Sequence, residues 1–147
     1  MKSLRIIITL LTIGLSGCGT VVYKQDIAEG VEKSTILVYR LYASPTAWSL
    51  NFEIDGKKVA SMAQKSKVEF IAAAGIRNIS INWPALAGGV SVNGDYEILP
   101  NKNHYFLIDG DFTIQGLQYT NKIRLSQLTK QQWDSLKSTE LNETLEQ

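Results

Sequence analysis

The sequence predicts an all-β fold: a single β-sandwich of about eight or nine short strands, followed by one short C-terminal α-helix. Three observations carry this expectation. Runs rich in Ile, Val, Tyr, Phe and Trp recur from Thr35 onward and are punctuated by Gly, Pro, Asn and Asp. Several runs alternate apolar and polar residues with period two, as half-buried strands do. A helical period with a start signal follows the last of them, at Thr129.

At the beginning of the chain Lys2 and Arg5 supply positive charge, Ile6 to Leu15 is an almost unbroken apolar stretch, and Ser16, Gly17 and Cys18 are small. That is the order of a secretory signal. About ten helical residues extend about 15 Å, half of a hydrocarbon core of about 30 Å, which is too short to span it. Leu15-Ser16-Gly17-Cys18 resembles the lipobox of bacterial lipoproteins. The resemblance implies that residues 1–17 are a signal peptide cleaved after Gly17, that the Cys18 thiol receives a diacylglyceryl group, and that the new amine is acylated. The alternative is a free thiol at an ordinary cleavage site. In enteric-type bacteria an Asp directly after the lipidated cysteine retains the protein in the inner membrane. Gly19 occupies that position here, so the resemblance implies an outer-membrane anchor with the domain facing the periplasm.

Loss of Lys2 and Arg5 lowers Lys plus Arg from 15 to 13 against 14 Asp plus Glu, so the net charge moves from +1 to −1. No basic excess remains to bind nucleic acid. Cys18 is the single cysteine, so no disulfide forms within the chain, and packing must supply the stability. About 130 mature residues suffice for one domain with its own core.

Residues 18–34 carry scattered charges, Gly30 and no sustained period. They read as a lipidated tether with a turn near Ile27 to Val31; about sixteen extended residues reach at most roughly 55 Å. The domain then covers residues 35–138, and the polar residues 139–147 form a tail. "TILVYRLY" (Thr35 to Tyr42) is apolar on both parities, as a central strand is. "AWSLNFEI" puts Trp48, Leu50, Phe52 and Ile54 on one face. Asp55-Gly56 between two extended runs predicts a tight hairpin, because both residues tolerate positive φ. "KVEFIAAA", the Gly75 turn and "RNISINW" follow, and Pro84 ends that strand by removing a ladder donor. "ALAGGVSVNGD" (Ala85 to Asp95) reads as a glycine-rich loop with a short strand around Val90 to Val92. "YEIL", "HYFLID", "DFTIQGLQY" and "KIRL" read as further separate strands, with Asp109-Gly110-Asp111 as a hairpin turn. Thr129-Lys130-Gln131-Gln132 fits a capping box opening a helix that ends near Ser138.

"ILVYRLY", "FEIDGKKVASM", the Gly75 turn into "IRNISI", and "NKNHYFLI" resemble a family of bacterial lipoproteins of unknown function with a small, immunoglobulin-like β-sandwich related to PEGA-type domains. The matching residues are Tyr39 and Arg40, Asp55 to Lys57, Gly75, and Tyr105 and Phe106, within roughly Ser34 to Ser138. Ala73-Ala74 stand where prolines often precede the glycine, and Asn101-Lys102-Asn103 replace a Gly-Lys turn. The resemblance implies a fold and an envelope location but no activity.

The residues point away from catalysis. Ser91 in "GVSVN" lacks the second glycine and following helix of a nucleophile elbow, and His104 and Asp109 are the candidate partners that most chains of this length supply. The expectation is no enzyme, no cofactor and no metal site. Asp109 and Asp111 lack the further ligands of a calcium loop, and one histidine without a free cysteine does not make a zinc site. Lys57, Lys58, Lys65 and Lys67 form a positive cluster around one hairpin, suited to shielding an edge strand or meeting anionic lipid or another acidic partner. Of the aromatics, Trp48 and Trp83 fall on the apolar parity and should be core. Trp83 at its strand end and Tyr96 at the loop exit are placed to line a groove. Two function classes remain open: a non-catalytic, membrane-anchored module that binds another envelope protein, and a small-ligand, glycan or lipid binder using the loop Trp83 to Tyr96.

Overall fold

The computed structural model describes residues 20–21, 26–44, 47–87, 89–115 and 118–136, with the backbone alone at 20–21 and 112–121. The lipobox with Cys18, the Ser138 helix end and the tail 139–147 lie outside the described residues.

Alternating side chains bury one face of each strand, and two such faces close on one another. The strands are β1 (Thr20–Val21), β2 (Lys33–Arg40), β3 (Leu50–Ile54), β4 (Lys57–Met62), β5 (Ser66–Ala73), β6 (Gly75–Asn82), β7 (Val92–Ile98), β8 (Asn103–Gln115) and β9 (Gln118–Leu128). One sheet has the order β1-β4-β3-β6-β7 and the other β5-β2-β8-β9. All pairings are antiparallel except that of β2 with β8. The fold is therefore an all-β sandwich, with a helix α1 at residues 130–136.

β2 explains why "TILVYRLY" is apolar on both parities. Ile36 and Val38 face the other sheet within the main core, whereas Tyr39 packs with Tyr105 and Trp133 of α1 on the outside. Phe52 and Phe70 meet across the sandwich with ring centroids 5.9 Å apart. The helix starts as a capping box does: the Thr129 N–H donates to Gln132 Oε1 at 2.9 Å, and the Gln132 N–H donates to Thr129 Oγ1 at 3.3 Å. Asp55 and Gly56 have φ of 50° and 72°, and Ile54 pairs with Lys57, so the turn has two residues. The register slips by one after Glu53–Lys58, so Val59 and Ala60 are both buried.

Several expectations are corrected. Asn93-Gly94-Asp95 is not part of a loop but of β7, paired to Asn78, Ile79 and Ser80. The Tyr96 ring covers Gly94, lying 3.2 Å from where a Cβ would stand. Asp109-Gly110-Asp111 is not a turn: "HYFLID" and "DFTIQ" are one strand, β8, and Gly110 pairs with Ile123. Gly110 is there for closeness, since a Cβ would stand 2.6 Å from the Lys122 carbonyl. "KIRL" is the middle of β9 rather than a separate strand. Trp48 is not core; β3 begins at Leu50, and Trp48 is 41% exposed in the preceding loop. Within the tether residues, Thr20–Val21 pairs with Ser61 and Ala60 of β4, and β2 already begins at Lys33.

The strand directions give the sandwich two distinct ends. At the hairpin end lie the Asp55-Gly56 turn, the Gly75 turn and residues 99–102. At the Arg40 end lie residues 41–49, 63–65 and 83–91, and because Ile108 pairs with Arg40, residues 109–115 of β8 and 118–124 of β9 continue past that end as a two-stranded ribbon.

Candidate functional site

The Arg40 end is built around one buried cation. Arg40 continues the inward parity of Ile36 and Val38 and is 0% exposed. Its Nη1 donates to the carbonyls of Trp48 at 2.8 Å and Met62 at 2.7 Å, and its Nη2 donates to Ala43 at 2.9 Å. The guanidinium carbon lies 4.9 Å from the centroid of the Trp83 ring. Burial pushes Arg40 down to about 10, so it remains charged at neutral pH. The loop of residues 41–49 is thereby tied at two points to the ends of β2 and β4. Trp83 extends the frame: its Nε1–H donates to the Val90 carbonyl at 3.1 Å, and Gly89 lies against the indole so closely that a Cβ would stand 2.4 Å from the ring.

This arrangement leaves the frame's periphery apolar and exposed. Tyr42, Trp48, Leu86 and Val90 are 46%, 41%, 87% and 54% exposed. Leu86 sits in a 3-10 turn at Ala85–Ala87, closed by the Ala87 N–H donating to Pro84 O at 2.8 Å.

At the hairpin end an open groove of about 510 Å³ runs between Val31, Ile76 and Leu99, with Glu32 and Glu97 beside them. Ile76 is 75% exposed at this groove. Its backbone is held from both sides. The Ala74 N–H donates to Glu32 O and the Asn101 N–H to Lys33 O. Arg77 donates to the Ala73 and Ala74 carbonyls and to Asp55 Oδ2. Gly75 turns the chain with a φ of 111°, a conformation that favours glycine.

The sequence candidates are distributed differently from the expectation. Trp83 and Tyr96 do not face a common groove. Trp83 is 9% exposed and belongs to the core. Tyr96 packs edge-on against Phe106 at 5.2 Å and donates its hydroxyl to the Leu125 carbonyl at 3.1 Å. Burial raises the Tyr96 hydroxyl above its ordinary range. The lysines are not one cluster. Lys57 and Lys58 are exposed beside the Asp55-Gly56 turn, whereas Lys65 lies past the other end of β4, roughly 20 Å away at about 3.3 Å per residue. Lys67 belongs to the other sheet, its Nζ 4.6 Å from the Tyr39 ring centroid.

Ser91, His104 and Asp109 are not brought together either. Ser91 is at the Arg40 end, while His104 pairs with Ile36 towards the other end. The buried His104 ring holds the Leu99 carbonyl through Nε2 at 3.0 Å and meets Gln127 Nε2 through Nδ1 at 3.1 Å. A donor amide at Nδ1 and an acceptor carbonyl at Nε2 select the Nε2–H tautomer. Asp109 and Asp111 share Arg124, at 3.0 and 2.8 Å. The cation between these carboxylates is the chain's own guanidinium, and their hydrogen bonds raise its affinity for its proton. Among the described residues no three His, Cys, Asp or Glu side chains group as metal ligands, and no helix is long and apolar enough to cross a membrane.

The sequence resemblance included Arg40 but not its role as a buried cation, for which its parity with Ile36 and Val38 was the available signal. Sequence reasoning missed the Val31–Ile76–Leu99 groove because three separate segments form it. No family model matches the chain, and no curated protein matches it.

Proposed function

We propose that this chain is the anchored, non-catalytic domain of a bacterial envelope lipoprotein, lipidated at Cys18 in the outer membrane and facing the periplasm, and that it binds another envelope protein. The lipobox-like Leu15-Ser16-Gly17-Cys18 after a charged and apolar start supports the anchor. The single observation that supports protein binding is the hairpin-end groove, where Val31, Ile76 and Leu99 remain exposed on a backbone held by cross-strand bonds. Exposed apolar side chains on a rigid frame, with carboxylates at the rim, suit an apolar side chain of a partner with flanking Lys or Arg. Beside this groove the Ser34 hydroxyl and the His104 ring both bind the Leu99 carbonyl rather than each other, and the exposed apolar lining favours recognition over turnover.

A photo-crosslinking residue placed at Ile76 in the full-length protein in intact cells tests this reading. A discrete protein adduct is expected at position 76 and none at Glu69, which is exposed on edge strand β5. The adduct should fade when Glu32 and Glu97 are both changed to Lys. No adduct at 76, or equal adducts at 76 and 69, contradicts it.

A further inference from the structure

We propose that the Arg40 end of the sandwich rests on the surface of the bilayer to which the chain is anchored, with Trp48, Leu86 and Val90 entering the headgroup layer. The proposal rests on lipidation of Cys18 and adds to it an orientation and a second, apolar membrane contact.

Strand pairing fixes which end the anchor leaves from. Thr20 pairs with Ser61 and Val21 with Ala60, antiparallel. Because β4 runs from Lys57 at the hairpin end to Met62 at the Arg40 end, Thr20 is the end of β1 nearer Met62, whose carbonyl Arg40 binds. Cys18 precedes Thr20 by two residues, a reach of at most about 7 Å. An acyl group there places the bilayer against the Arg40 end and leaves no long tether.

The side chains at that end have the chemistry of an interface. Trp48, Leu86 and Val90 are exposed, and an indole at a headgroup boundary satisfies both its apolar body and its N–H. These residues sit on a prepared frame: Arg40 holds the Trp48 carbonyl, and Trp83, stacked on Arg40, holds that of Val90. Little ordering remains to oppose docking.

Charge does not separate the two ends: exposed Lys33, Lys57, Lys58 and Lys102 accompany Glu32, Glu97 and Asp55 at the hairpin end, while towards the Arg40 end Arg124 binds Asp109 and Asp111 and Lys65 is exposed. The orientation rests on the strand direction and on the apolar side chains. The β8–β9 ribbon, which continues from Ile108 to its Gln115–Gln118 pair on this side, then also meets the bilayer, and the opposite groove stands roughly 25 Å from Arg40 at about 3.3 Å per residue.

The test uses full-length processed protein purified from bacterial membranes. The mass of its N-terminal peptide first reads acylation of Cys18. The protein is then placed in vesicles of phosphatidylethanolamine and phosphatidylglycerol with brominated acyl chains. Trp83 and Trp133 are buried, so Trp48 should supply most of the bromine-dependent loss of tryptophan emission, and Trp48→Phe should remove most of it. Leu86→Asp combined with Val90→Asp should weaken the quenching of Trp48 while acylation persists. An acylated protein whose quenching is unchanged by both variants overturns the orientation and leaves the anchor standing. Absence of acyl mass on Cys18 overturns both.

Discussion

The two ends of this sandwich are both tied down by an arginine, and they differ in what the arginine touches. Arg77 at the hairpin end binds two carbonyls and an exposed carboxylate, and its side chain is 25% exposed. Arg40 at the other end is 0% exposed, holds three carbonyls, two from the loop of residues 41–49 and one from the end of β4, and lies over Trp83. Removing Arg77 leaves groups that water can reach. Removing Arg40 leaves the Met62 and Ala43 carbonyls buried without that partner. The same residue type is a modest surface clamp in one place and a keystone in the other, because desolvation sets the cost of losing a partner.

The largest expected effect follows directly. Arg40→Met should destabilise the domain by about 3 kcal/mol or more in a chemical melt, through unsatisfied carbonyls. Arg77→Met should cost about 1 kcal/mol or less. Equal costs would erase the distinction between the ends.

Next come the glycines, which separate the ends by mechanism. Gly89→Ala at the Arg40 end drives a Cβ into the Trp83 ring and should cost about 1–3 kcal/mol by overpacking. Gly56→Val at the hairpin end meets nothing within 4 Å, and should cost more than about 1 kcal/mol through its positive φ. In a Trp83→Ala background, which removes the ring atoms that the Cβ would meet, the first loss should shrink and the second stay unchanged. A failure of that rescue would mean Gly89 acts through its backbone.

Much of the hairpin end was legible in the sequence and much of the Arg40 end was not. Asp55-Gly56 specifies its turn within two residues, and Thr129 with Gln132 specifies the helix start within four, because both are local hydrogen-bond or dihedral demands. The alternation of Phe52 and Ile54, and of Ile79 and Ile81, likewise reports one buried face. Gly94 and Gly110 carry the same letter as turn glycines but serve close packing against Tyr96 and β9, which only tertiary structure creates. Trp48 has the right parity but lies before its strand. Arg40 looks like a solvated charge until three carbonyls from residues 43, 48 and 62 converge on it. The two-ended arrangement depends on strand order, and strand order is not written in any single run.

Smaller effects refine the comparison. Tyr96→Phe should cost about 1 kcal/mol by losing the bond to Leu125 O. Burial holds the folded Tyr96 hydroxyl above its ordinary range near 10. The native state therefore keeps a proton that the unfolded chain releases, and this contribution is present below about pH 10 and lost as pH rises through the folded value. Melts of wild type above pH 10 should lose stability faster than those of Tyr96→Phe; parallel pH profiles would show that the hydroxyl is not desolvated. Ile76→Asp should change stability by less than about 0.5 kcal/mol yet abolish the adducts formed by a crosslinker at position 31, and persistence of those adducts would remove the groove from the binding surface.

In the proposed arrangement the Arg40 end faces lipid and the hairpin end faces the partner. With Cys18 acylated no other thiol remains, so Leu86→Cys and Ile76→Cys each accept a single nitroxide label. Collision of these labels with a water-soluble nickel complex and with oxygen, measured in membrane-bound full-length protein, reads both ends at once. The label at 86 should be shielded from nickel and open to oxygen, while the label at 76 should be open to nickel. A label at 86 as open to nickel as the one at 76 would contradict it.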